Sequence, residues 1–165
     1  MPILTKRPDK KPLGIYVHVP FCRSKCQYCD FYSLATKEDN LFDGYLDAVC
    51  DHIKEAGELA PNYKVDSVYF GGGTPSFFGA DGLAVILTAI RRNFDVENSA
   101  EITVECNPDS VSDRFLHRIQ AEGFNRISLG VQSDSDEMLK KLGRPHTYSQ
   151  AVMAYQRIRK AGFRN

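Results

Sequence analysis

Short β-rich runs alternate with amphipathic helical stretches along almost the whole chain, and this alternation restricts the fold more than any other feature. Gly14 to Val19 sets Ile15, Val17 and Val19 against Tyr16 and His18, the pattern of a strand with two different faces. Asp39 to Gly57 follows, with Phe42, Tyr45, Leu46, Val49 and Ile53 at helical spacing. A second strand, Val65 to Phe70, runs into Gly71-Gly72-Gly73-Thr74-Pro75, and Leu83, Ile86, Leu87, Ile90 and Phe94 mark the next helix. Glu101 to Cys106 is the third strand, closed by Asn107-Pro108. Ser110 is the expected cap of a helix whose inner face carries Val111, Phe115, Leu116 and Ile119. Arg126 to Val131 gives a fourth strand, with helical stretches around Met138 to Leu142 and Ala151 to Ala161 after it.

Strands alternating with helices of this length predict βα units around a parallel sheet, an α/β fold. Glu122-Gly123-Phe124-Asn125 leads into the fourth strand, and Ala161-Gly162-Phe163-Arg164-Asn165 reads the same way, so a further strand is expected after Asn165. A closed eight-unit barrel takes roughly 250 residues. The expectation is therefore the N-terminal part of a barrel, about four βα units, with its last strand an edge that a fifth strand should cover.

The unusual residues all fall at one place in this pattern. A cysteine-rich loop follows the first strand, the glycines follow the second, Glu105 ends the third and Gln132 ends the fourth. In parallel α/β architectures the carboxyl ends of the strands share one rim, where sites are built. Glu105 stands in an otherwise apolar strand, and an unpaired buried carboxylate is costly, so it must be rim-exposed or paired. Gly71 to Pro75 leaves backbone groups open to close approach by a ligand, and equally reads as a plain tight turn. It is neither a Walker loop nor a dinucleotide fingerprint.

The loop Phe21-Cys22-Arg23-Ser24-Lys25-Cys26-Gln27-Tyr28-Cys29-Asp30-Phe31 places three cysteines at Cys-x3-Cys-x2-Cys spacing. Three thiolates so spaced can occupy three corners of one iron–sulfur cluster and leave one iron open. A structural zinc site normally adds a second Cys pair or a Cys/His mixture. Here there is one Cys-x2-Cys, and His18 lies on the far side of Pro20. A disulfide framework fits poorly with five cysteines, an odd number, and no secretory pattern. Cys50, in a helical pattern, and Cys106, at a strand end, are expected to be small buried hydrophobes. His18 reads as a structural histidine and is given no ligand role.

The bulk properties are those of an ordinary globular protein, 42% hydrophobic and 25% charged with formal net charge +0. Balanced charge argues against nucleic acid as the main partner. No apolar run approaches the ~18 residues of a membrane span. Met1 to Pro12 is basic and proline-bearing and is expected to be a flexible lead-in to a cytoplasmic protein, where thiols stay reduced.

The triplet, with its lead-in Tyr16-Val17-His18-Val19-Pro20-Phe21-Cys22, resembles the radical S-adenosylmethionine enzymes. Within them it resembles the branch of the oxygen-independent coproporphyrinogen III oxidases and their haem-chaperone relatives. The resemblance runs from about Leu13 to Asn165. It implies a core domain over residues 13–165 that is the N-terminal part of an open, six-unit partial TIM barrel. It also implies a 4Fe-4S cluster held by Cys22, Cys26 and Cys29, whose open iron takes the amino and carboxylate groups of S-adenosylmethionine. Gly72, Gly73 and Thr74 match the segment that holds the cofactor's amino group. Glu105 matches a glutamate serving its ribose hydroxyls, and Tyr16, Tyr28, Gln132 and Arg144 match positions near it. The spacing of twelve between Gln132 and Arg144 singles out that arginine. The implied chemistry is reductive cleavage of the cofactor to a 5′-deoxyadenosyl radical that takes hydrogen from substrate, the protein supplying orientation and shelter. No catalytic side chain beyond the cofactor sites is assigned.

One departure separates the branches. The oxidases carry a fourth cysteine two residues after the third, and Phe31 stands there. The resemblance is therefore nearer to the haem chaperones, which bind haem and hand it to acceptor proteins. A coproporphyrinogen III oxidase is the alternative, and related methyltransferases and haem-degrading enzymes a third. Implied partners are haem or a porphyrinogen, a low-potential electron donor and haem-acceptor proteins.

Overall fold

The structure is a computed structural model and describes residues 10–36 and 38–165. In chain order it contains β1 (Lys11–Val19), β2 (Phe21–Cys22), β3 (Leu34–Ala35), α1 (Asp39–Glu58), β4 (Tyr63–Gly72), α2 (Pro75–Phe78) and α3 (Ala80–Asn93). Then come β5 (Val96–Cys106), α4 (Asp113–Ala121), β6 (Arg126–Leu129), α5 (Asp136–Lys141) and α6 (Tyr148–Lys160). Strands β1, β4, β5 and β6 form one sheet in that order, every neighbour parallel. The α/β parallel-sheet expectation holds.

Alternation along the strands builds two unlike faces. Val17, Val19, Val68, Phe70, Ile102 and Val104 join a single core with Leu83, Ile86, Leu87 and Ile90 of α3 and Leu116 and Ile119 of α4. Each such side chain contributes about 1.5–3 kcal/mol on burial. The opposite face is polar: Tyr69 donates to Glu105, and Arg126 reaches both Thr103 Oγ1 at 3.3 Å and Glu101 at 3.6 Å. A parallel sheet is usually apolar on both faces because helices cover both. Here one face is left to polar chemistry.

Several boundaries differ from the sequence reading, each for a local reason. β1 begins at Lys11 rather than Gly14, because Lys11 and Pro12 pair in register with Tyr63 and Lys64. Lys10 to Pro12 therefore do not belong to a flexible lead-in, since Lys10 also bridges to Asp95 at 2.9 Å, and the rest of that expected segment, residues 1–9, lies outside the described residues. The cap of α4 is Ser112, whose hydroxyl accepts from Phe115 N, while Ser110 sits in a 3₁₀ turn, Pro108–Ser110. Pro108 sets that extra turn between strand and helix. β6 stops at Leu129, and Gln132 lies beyond it with φ 69°. Cys50 is half-buried on α1 rather than enclosed, and Cys106 is buried as expected. The carbonyl of Asn165 accepts from Ile127 N at 3.2 Å, so the last residue lies along the free edge of β6.

Candidate cofactor site

The cysteine loop is held at both ends. Its start, β2, pairs with β3, and Leu34 N donates to Pro20 O at 2.6 Å, so the loop leaves and returns at nearly the same place. Phe21 anchors it from below, stacked on Phe78 at 5.5 Å and packed on Phe42 at 4.4 Å and Tyr45 at 5.2 Å. Aromatic pairs at such distances add to plain area burial. The Tyr45 hydroxyl, its pKa raised to about 12 by burial, donates to His18 O at 2.8 Å. The far side of the loop docks on α5, where Gln27 N donates to Leu142 O at 3.3 Å.

The glycine segment then closes on the loop. Gly73 N donates to Val19 O at 2.8 Å and Thr74 N to Phe21 O at 2.7 Å. A Cβ on Gly73 would lie 2.7 Å from the Phe21 carbonyl oxygen, so the approach requires glycine. Gly72 needs it twice over, for φ 107° and for the His18 ring lying against it.

His18 has a structural role in this joint. Its Nε2 is 2.9 Å from Tyr32 O, which can only accept, so Nε2 carries the proton. Nδ1 then accepts from the Tyr16 hydroxyl at 3.1 Å. The histidine ties β1 to the end of the cysteine loop.

These pieces surround a cavity of about 210 Å³ at the carboxyl ends of the sheet strands. Cys22, Cys26 and Cys29 line it from one side, with Tyr28. Gly72, Gly73 and Thr74 line it from β4, Glu105 from β5, and Gln132 and Arg144 from the segments beyond β6. Tyr16 is not in the lining; it is 58% exposed and stacks on Tyr69 at 6.1 Å. Burial, then the Glu105 charge, raises the Tyr16 pKa.

Residues 16–165 match the Radical SAM superfamily. The chain belongs to the radical SAM superfamily. Membership implies use of S-adenosylmethionine and a 4Fe-4S cluster. The haem chaperone HemW of Lactococcus lactis subsp. lactis (strain IL1403) is 39% identical over 156 residues, covering 94% of this chain and 40% of the relative. The oxygen-independent coproporphyrinogen III oxidase of Salmonella typhimurium is 34% identical over 138 residues, covering 84% and 30%. Among solved structures, the coproporphyrinogen III oxidase HemN from Escherichia coli superposes with a TM-score of 0.87 at 29% identity, over 97% of this chain and 37% of that one. The chain thus spans well under half the length of these relatives.

The donor set suits the cluster that a radical SAM protein requires. Among the described residues no three Cys, His, Asp or Glu side chains gather as a single metal ion demands. Cys22, Cys26 and Cys29 all line one cavity, and a cluster takes its thiolates at separate corners. Cys106 also touches the cavity, and burial pushes its thiol up to about 12, away from the thiolate form.

Sequence reasoning missed Asn107, which it read only as a strand terminator. The amide lines the cavity and binds Arg144 at 2.7 Å and Thr74 at 3.2 Å. A polar side chain on the first residue past a parallel strand was the available signal, since that position belongs to the rim. Phe31, used above only to separate branches, lines the cavity too and is 62% exposed.

Proposed function

We propose that this chain is the cofactor-binding part of a haem-chaperone-like radical SAM protein, with the cluster on Cys22, Cys26 and Cys29. The observation that carries the reading is the lining of a single cavity by those three thiols, the Gly72–Thr74 backbone, Glu105, Gln132 and Arg144. When bound, the cluster and S-adenosylmethionine supply one-electron reduction and hydrogen abstraction. The protein's own part is positional. Gly72 and Gly73 offer backbone groups without side-chain obstruction, suited to a ligand's amino group. Glu105, fixed by Tyr69 at 2.7 Å, presents a carboxylate oxygen to ribose hydroxyls. Arg144 brings positive charge within 3.5 Å of Cys26 Sγ and offsets part of the thiolate charge.

Phe31 in the place of a fourth cysteine, with 39% identity to a haem chaperone, supports transfer of haem to acceptor proteins. The second reading, oxidation of coproporphyrinogen III to protoporphyrinogen IX, is supported by the likeness to HemN. No helix among the described residues is long and apolar enough to cross a membrane. A cytoplasmic location and a low-potential electron donor belong to the same proposal.

The test uses a chain of the relatives' length carrying this sequence, reconstituted without oxygen. It is given coproporphyrinogen III, S-adenosylmethionine and a low-potential reductant, with a haem titration alongside. Stoichiometric haem binding without protoporphyrinogen IX supports the chaperone reading, and product formation moves the protein to the oxidase branch.

A further inference from the structure

We propose that Asn107 is a positioning residue that sets the direction of a hydrogen-bond relay onto the thiolates of Cys22 and Cys26. The proposal rests on the cluster reading above.

The direction of the relay follows from which groups can only donate. Arg144 Nη2 lies 2.7 Å from the Asn107 side chain and 2.9 Å from Gly130 O. A guanidinium has no acceptor, so the Asn107 atom facing it is the amide oxygen. The amide nitrogen is thereby turned to the other side, where Nδ2 donates to Thr74 Oγ1 at 3.2 Å. That hydroxyl has accepted, and its own hydrogen is free for its other neighbour, Cys22 Sγ, at 3.5 Å. Thr74 is 6% exposed, so bulk water does not compete for this hydrogen. At the opposite end Arg144 Nη1 reaches Cys26 Sγ at 3.5 Å.

The relay therefore starts at Arg144 and runs two ways, directly to Cys26 and through Asn107 and Thr74 to Cys22. It joins the cysteine loop to the glycine segment, the end of β5 and the connection between α5 and α6. Asn107 is itself held in place, its backbone N–H donating to the buried Ser76 Oγ at 3.3 Å. Donors aimed at cluster sulfurs offset charge that grows on reduction, and they are one of the protein's means of raising a cluster's potential. Asn107 touches neither sulfur. It acts through Thr74 and Arg144.

The experiment measures the cluster's midpoint potential in the reconstituted protein by EPR-monitored titration. Thr74→Val removes the hydroxyl at nearly constant volume and is expected to lower the potential, and Thr74→Ser to restore it. Asn107→Asp keeps an acceptor for Arg144 but has no hydrogen to give, so the Thr74 hydroxyl turns toward the carboxylate and away from Cys22. It is expected to lower the potential more in the parent than in the Thr74→Val background, where only its charge acts. Equal shifts in both backgrounds, or a Thr74→Val potential equal to the parent's, would overturn the relay. A parent protein that takes up no iron overturns the cofactor reading and the proposal with it; a loaded protein with unmoved potentials overturns the proposal alone. In the cluster-free protein the Asn107 side-chain amide signals, assigned by their loss in Asn107→Asp, are expected to exchange slowly with water. Exchange as fast as in a free asparagine would overturn the relay without reference to a cluster.

Discussion

Tyr69 and Glu105 stand on neighbouring strands, and the Tyr69 hydroxyl donates a 2.7 Å hydrogen bond to Glu105 Oε1. Register places them there: Tyr69 pairs with Thr103, so Glu105 lies two residues further along β5, where the strand meets the cavity. Burial raises the Tyr69 pKa first, and the hydrogen bond to the carboxylate adds to it. The phenol remains a donor at neutral pH, and the carboxylate keeps one orientation.

Removing that donor with Tyr69→Phe is expected to leave the fold intact and loosen the carboxylate. A hydrogen bond of this kind contributes about 1–2 kcal/mol, or roughly a 5- to 30-fold weaker affinity for S-adenosylmethionine. Equilibrium binding to the anaerobic, reconstituted protein measures it. Unchanged affinity would show that Glu105 needs no support or makes no contact.

The thiols of the loop should be separable from the other two cysteines by iron content. Anaerobic reconstitution is expected to give a brown protein with about four irons per chain, lost in Cys22→Ala, Cys26→Ala or Cys29→Ala. Cys50→Ala and Cys106→Ala are expected to retain the iron, since one lies on α1 and the other is a buried, protonated thiol. A colourless parent holding one zinc would count against the cluster assignment.

Gly73→Ala tests the closure of the glycine segment on the cysteine loop. The added Cβ meets the Phe21 carbonyl oxygen at 2.7 Å, which is backbone and cannot swing away. A loss of about 1–3 kcal/mol of stability is expected, together with poorer cluster retention, as β2 is pushed off the segment. Urea unfolding followed by circular dichroism gives the first quantity and iron analysis the second. A stability equal to the parent's would place the closure elsewhere.

His146 supplies a pH signature. It is 3% exposed, its Nε2 donates to Val131 O at 3.1 Å, and its Nδ1 has no partner among the described residues. Its pKa is lowered, chiefly by burial and further by Arg144, against the opposing pull of the Val131 hydrogen bond, Asp109 and Asp136. A histidine with a lowered folded-state pKa stabilises the fold fully above its unfolded value, near 6.5. That contribution is lost as pH falls from there toward the folded value, because the unfolded chain binds the proton first. The melting temperature of the cluster-free protein is expected to fall below about pH 6.5, less steeply in His146→Gln. Identical slopes in the two proteins would remove His146 from the account.

Much of this was legible in the chain because it depends on local periodicity. Val17, Val19, Val68, Phe70, Ile102 and Val104 repeat every second residue, and Leu83, Ile86, Leu87 and Ile90 recur at helical spacing, so strands, helices and core could be read together. Ends were less legible. Lys11 and Pro12 carry no strand signal of their own and become strand by pairing with Tyr63 and Lys64. Ser110 and Ser112 are equally good caps on paper, and the 3₁₀ turn at Pro108 decides for Ser112.

The sequence by itself determined the parallel α/β plan, the rim on which the unusual residues fall, and the three thiols of one loop, because each is set by neighbours within a few residues. Tertiary structure alone decided which groups meet across that rim. Asn107 became a junction only when the connection between α5 and α6 brought Arg144 within 2.7 Å of it. His18 met Gly72, fifty-four positions on, only once β1 and β4 lay side by side. Such contacts join residues dozens of positions apart through backbone directions and donor orientations that no local pattern encodes. They exist only after the sheet has fixed its register.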